Sequence, residues 1–144
     1  MTVQRLFYSS RIADAHASRG AAMAREIAQA SAVRNAASGL TGTLAYIDGH
    51  FIQVLEGNLK QVEDTFERIC CDFRHRELKL LDCHTAPSRL FSEWSMASLV
   101  EEDATIGQRE ALSEVRILAT LNAREAIARM RQLLALQDRA VLTA

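Results

Sequence analysis

The side chains of Tyr8, Asn35, Gln53, Trp94 and Met96 carry chemistry that packing alone does not require. A phenol can release an electron and a proton, and a primary amide can donate and accept hydrogen bonds at once. Gln53 is the most informative of these. It lies in the stretch Leu40–Gly57, LTGTLAYIDGHFIQVLEG, with apolar neighbours on both sides. A buried amide left without a partner costs about 1–3 kcal/mol, so Gln53 needs partners. Two polar groups meeting in an apolar space can simply satisfy each other, or they can frame a ligand.

Elements must bring these groups together. Val3–Ser9 alternates as a strand, with Leu6 and Tyr8 on one face and Val3 and Phe7 on the other. A polar connection over Arg11–Arg19 offers Asp14 or Ser18 as a cap for a helix reaching about Ser31, with Met23, Ile27 and Ala30 as its apolar stripe. Ala32–Gly39 reads as a loop containing Arg34 and Asn35. Leu40–Ile47 and His50–Glu56 are hairpin strands around Asp48-Gly49. In the second of them Phe51, Gln53 and Leu55 face one way, and Ile52, Val54 and Glu56 the other.

A second helix covers about Leu59–Cys71, with Val62, Phe66 and Ile69 on its stripe. The charged connection DFRHR brings Arg74 and His75. Leu78–Thr85 is a fourth strand. Trp94–Leu99 is a short fifth one, which would put Trp94 and Met96 on one face. Two helices follow, over Ile106–Ala119 and Ala123–Leu136. Their apolar residues Leu112, Val115, Leu118, Ile127, Met130 and Leu134 suit a cover for Ile52 and Val54. No Gly/Ser-rich linker precedes them, so residues 104–144 read as a cap within the same folding unit as residues 1–103.

This order predicts an α+β ferredoxin-like sandwich, βαββαββ, with two additional C-terminal helices on the other sheet face. Its first and third strands lie side by side in the sheet centre, which makes Tyr8 and Gln53 neighbours.

Composition narrows the function. The 144 residues carry 17 Lys and Arg against 18 Asp and Glu, so the near-zero charge gives no reason to expect a nucleic-acid partner. No apolar run approaches a membrane span, and the N-terminus lacks the long apolar segment of a signal peptide. A cytoplasmic protein is the expectation. Cys70, Cys71 and Cys83 match neither a disulfide framework nor, with His75 and His84, a regular zinc spacing. Cys71 and Cys83 read as core positions, and no metal is expected.

The pieces LFYSS with Tyr8, VRNAASGLTG with Asn35, FIQVLEG with Gln53, DFRHREL, and LFSEWSM with Trp94 and Met96 occur in an order and spacing that resembles one family. This is the BLUF family, the blue-light sensors using flavin. The resemblance covers about residues 2–100, and the helical tail is similar to the caps of short stand-alone members. Many members carry a second amide or a proline beside the motif asparagine. Here Arg34 and Ala36 flank Asn35.

The resemblance implies a non-covalent flavin, usually FAD, with FMN or riboflavin as alternatives. It implies Ile27, Phe51 and Ile69 as apolar ring contacts. Asn35 would bond the ring's carbonyl and NH edge, and Gln53 would link it to Tyr8. Arg34 would reach a carbonyl or phosphate; Arg74 and His75 would meet the anionic tail. Light would drive an electron and a proton from Tyr8 and leave Gln53 with a changed tautomer or orientation. Trp94 and Met96 would relay that change to the tail, and from there to an unidentified downstream protein. The tail's stripes would also suit a homodimer. Such a site is a switch without net turnover, not an enzyme. A flavin reductase and a cofactor-free dimeric binding module on the same fold are the competing readings.

Overall fold

A computed structural model describes residues 2–143 of the chain. Its strands are β1 (Val3–Ile12), β2 (Thr41–Ile47), β3 (His50–Gly57), β4 (His75–Ala86) and β5 (Ala97–Val100). Its helices are α1 (Gly20–Ser38), α2 (Leu59–Cys70), α3 (Ile106–Leu121) and α4 (Ala123–Thr143). The strands form one sheet in the order β4-β1-β3-β2-β5. All neighbours are antiparallel except β2 and β5. This is the ferredoxin-like arrangement, with β5 added along β2.

The hairpin forms where the sequence places it. Asp48 and Gly49 have φ of 48° and 75°, the positive pair that a tight two-residue turn between right-twisted strands requires. β1 and β3 occupy the centre, and their register sets Tyr8 directly opposite Gln53.

Alternation gives the sheet two different faces. Tyr8, Leu44, Phe51, Gln53 and Leu55 look toward α1 and α2. Phe7, Ala45, Ile47, Ile52 and Val54 look the other way. There they pack against Leu112, Val115, Ala126, Ile127, Met130 and Leu134 of α3 and α4. Several of these side chains are completely buried, so the cap forms one dry core with the sheet. Thr105 and Gln108 start α3 with reciprocal side-chain to backbone bonds.

Several boundaries differ from the sequence reading, each for a local reason. Neither Asp14 nor Ser18 caps α1; Asp14–Arg19 forms a 3-10 turn, and the α-helix begins after it. α1 continues through the segment expected to be a loop. Its alanines at 32, 36 and 37 favour helix, and it stops where Gly39 takes the left-handed conformation, φ 74°, with its N–H on Asn35 O. Ala30 is exposed, and Ala24 and Ala28 take the buried positions instead. Cys71 and Cys83 are exposed rather than core residues. Cys71 is the cap residue after α2, and Cys83 lies on the edge strand β4, which has only one neighbour.

Candidate functional site

Between the sheet and helices α1 and α2 lies a cavity of about 770 Å³ including its mouth. Tyr8, Ile27, Arg34, Asn35, Phe51, Gln53, Ile69, Arg74 and His75 all line it. The fold therefore gathers these side chains, from β1, α1, β3, α2 and the start of β4, around one space.

Tyr8 and Gln53 face each other across the two central strands. The Tyr8 hydroxyl donates to Gln53 Oε1, and both residues are buried. Burial pushes the Tyr8 phenol well above its ordinary value, with the charges of Asp72 and Cys70 adding to the effect. The phenol therefore keeps its proton until something takes an electron from it. Gln53 Nε2 has a single partner among the described residues, the sulfur of Met96 at 3.7 Å. A thioether is a weak acceptor, so one end of the amide is strongly bonded and the other barely held.

Asn35 reaches the cavity from the last turn of α1, not from a loop. Its Nδ2 donates to Ser95 O at 2.7 Å, while its side-chain Oδ1 has no partner among the described residues. It also ties α1 to the segment just before β5. Ile27 on α1 and Ile69 on α2 stand on opposite walls, with Phe51 on the sheet. Apolar groups on facing walls, with the amides of Asn35 and Gln53 in the same lining, fit the chemistry of an isoalloxazine ring, which offers two apolar faces and one edge of alternating donors and acceptors.

The polar residues nearer the mouth divide into held and unheld groups. Asp72 grips Arg74 with both oxygens, at 2.5–3.0 Å. These bonds hold the Asp72 carboxyl below its usual range. His75 bridges Ser10 Oγ and Ile69 O, both at 2.7 Å. A carbonyl only accepts, so Nε2 carries a hydrogen, and in the neutral ring Nδ1 accepts from Ser10. Arg34 and Arg68 also line the cavity, and neither has a carboxylate partner among the described residues.

Trp94 and Met96 do not share a face. The strand β5 starts only at Ala97, so strand alternation does not apply to them. Met96 is buried on the cavity side. Trp94 packs on the cap side, 6.4 Å from Phe91 between ring centroids, and its Nε1 donates to Asp138 Oδ2 of α4 at 3.0 Å.

Sequence reasoning passes over Asp72, Arg68 and the buried pair Arg5–Glu56. The last has a legible signal. Alternation sets Arg5 in line with Val3 and Phe7, and Glu56 in line with Ile52 and Val54, so both charges stand at apolar-facing positions.

The fold and the cavity define a class: a small α+β domain with an open cavity between its sheet and two helices, beside a phenol–amide pair. The profile of one family, Sensors of blue-light using FAD (BLUF), matches residues 3–97. The chain belongs to the BLUF family and is a flavin-using blue-light sensor domain, a sensory module rather than an enzyme.

Among its relatives, the blue light- and temperature-regulated antirepressor BluF of Escherichia coli (strain K12) is 41% identical over 63 residues, 44% of this chain and 16% of that protein. Photoactivated adenylate cyclase subunit beta of Euglena gracilis is 37% identical over 70 residues, 48% of this chain and 8% of that protein. The chain thus spans less than a fifth of either. Of solved structures, the dark state of the BLUF protein BlrB superposes with a TM-score of 0.72 at 30% identity, covering 94% of this chain and 96% of that one. A photo-activated state of BlsA gives 0.74 at 25% identity, covering 91% and 95%. No helix among the described residues is long and apolar enough to cross a membrane.

Proposed function

We propose that the cavity binds its flavin non-covalently as FAD, and that Tyr8 and Gln53 form the light-operated switch. Ile27, Phe51 and Ile69 would hold the ring faces, and Asn35 and Gln53 its polar edge. Arg34 and Arg74 would serve the phosphates with Arg68, and His75 would fix the wall that joins α2 to β1. The two guanidiniums without carboxylates support a diphosphate over an uncharged tail.

Bound flavin supplies a strong one-electron oxidant when it absorbs blue light. Tyr8 can then release an electron, and its proton has one route, into Gln53 Oε1. Gln53 is the only group of the pair that can take a proton at oxygen and give one from nitrogen. On return of the electron the phenol regains its proton, and the amide is left as a tautomer or rotated. Either change alters what Nε2 offers to Met96. The Tyr8–Gln53 bond, with Nε2 resting on a thioether, is the observation that carries this reading.

The changed amide is proposed to act through Met96 first and Trp94 second, and so on α4. Residues 104–144 act here as part of one folding unit with residues 1–103. A cytoplasmic downstream protein, or a second copy of the chain, would meet the cap. The exposed Ile106, Ile117 and Leu121 of α3 suit either.

The purified chain should show flavin absorption bands and a reversible red shift in blue light. Gln53→Leu should keep the bands and lose the normal shift; an unchanged photocycle refutes the switch. Denaturation followed by separation of the released pigment distinguishes FAD from FMN. A chain that stays colourless with either flavin added refutes the cavity assignment.

A further inference from the structure

Glu56 is a carboxylate with 0% exposure in an otherwise dry face of the sheet. It accepts from Arg5 Nε at 2.8 Å, from Leu90 N at 2.9 and 3.1 Å, and from Phe91 N at 2.7 Å. Arg5 Nη2 donates in turn to Ser88 O at 2.9 Å. Residues 88–91 lie in the irregular connection between β4 and β5. Their backbone groups therefore find partners on side chains: the Leu90 carbonyl accepts from Arg131 Nε of α4 at 2.9 Å. Two apolar residues could fill the space of the Arg5–Glu56 pair, and such replacements are often tolerated. They could not accept two consecutive backbone N–H groups.

That connection carries the relay. Phe91 O accepts from Trp94 N at 3.1 Å, and Trp94 O accepts from Gly42 N of β2 at 2.9 Å. Met96 follows, against Gln53. Gln53 and Glu56 stand three residues apart on β3 and point to opposite faces. One strand thus grips the segment 90–96 at both ends, through Glu56 on the cap side and through Gln53 on the cavity side.

We infer that Glu56 is a positioning residue of the light response: it fixes Leu90 and Phe91, so that a change at Gln53 displaces Met96 against a stationary anchor and reaches α4 through Trp94 and Asp138. The inference rests on the reading of Gln53 as the switch. Glu56 touches neither the cavity nor the pair Tyr8–Gln53. Its effect is on where the displacement goes and how fast it relaxes.

Two measurements on the full, flavin-loaded chain test it. In the wild type, amide exchange at Leu90 and Phe91 should be the same in light and dark, while exchange across residues 94–97 changes by on the order of threefold or more. Equal changes in both segments overturn the anchor. In Glu56→Gln, which keeps the shape but offers fewer acceptor sites, the red shift should persist. Exchange at Leu90 and Phe91 should quicken on the order of tenfold, and dark recovery should change by about fivefold. Faster exchange with recovery within about twofold of wild type reduces Glu56 to a structural residue and overturns the inference. If Glu56→Gln does not fold, the wild-type comparison decides alone. A wild type without any red shift refutes the switch itself, a failure visible before either exchange result is read.

Discussion

The two faces of the one sheet solve opposite problems. Toward α3 and α4 a continuous apolar core is buried, with Val54, Val115, Ala126, Met130 and Leu134 at 0% exposure. The carboxylate buried there, Glu56, has donors on both oxygens. Toward α1 and α2 the packing stops short. It leaves a cavity, a phenol, two amides and the guanidiniums of Arg34 and Arg68, which have no carboxylate partner among the described residues. Close packing specifies a single arrangement and resists change. An incompletely packed wall with weakly held polar groups has alternatives close in energy. Stability is concentrated on one face and responsiveness on the other, and β3 belongs to both.

Substitutions on the two faces sharpen that contrast. Leu134→Ala, on the cap face, should lower stability by about 2–5 kcal/mol. The loss should be the same with and without flavin in denaturant titrations; a loss that vanishes on flavin binding would break the division. Phe51→Ala, on the cavity face, should fall further behind the wild type in stability once flavin is added, because ligand binding adds RT ln(1 + [L]/Kd) to the folded state and loss of a ring contact raises Kd.

Trp94→Phe keeps an aromatic ring against Phe91 and removes the donor to Asp138. A cost of about 0.5–1.5 kcal/mol is expected, with a light-induced exchange change in α4 smaller than in the wild type. An identical change in α4 would remove Trp94 from the output route.

The smallest effect concerns pH. Hydrogen bonds from Arg74 hold the Asp72 carboxyl below its ordinary 3.8. A depressed folded value means that the stabilisation is complete above the unfolded value and is lost as pH falls through the folded one. Asp72 is partly open to solvent, which screens the pair, so only a slight loss of stability is expected, confined to pH below about 4. Asp72→Asn should abolish that acid-side slope in thermal melts.

Much of this architecture is legible in the sequence. The order of elements places β1 beside β3, and alternation puts Tyr8 and Gln53 on one face. The failures share a cause: a local rule applied where a neighbouring element decides. Alternation does not reach Trp94 and Met96, because it holds only inside a strand and β5 begins at Ala97. The preference of Asn35 for loops yields to the alanines around it, and Gly39 four residues on decides where the helix ends. Arg5–Glu56 needs the register of two strands, because each charge alone at an apolar position is only an anomaly. Arg68 and Asp72 sit where α2 meets the cavity mouth, and helical periodicity does not mark which polar residues flank an opening.

The register of Tyr8 against Gln53 has a consequence for how the receptor is made. The pair sits on the two innermost strands, each hydrogen-bonded on both sides. Its spacing is set by the sheet, before any pigment arrives. Flavin uptake therefore does not bear the entropic cost of assembling the switch.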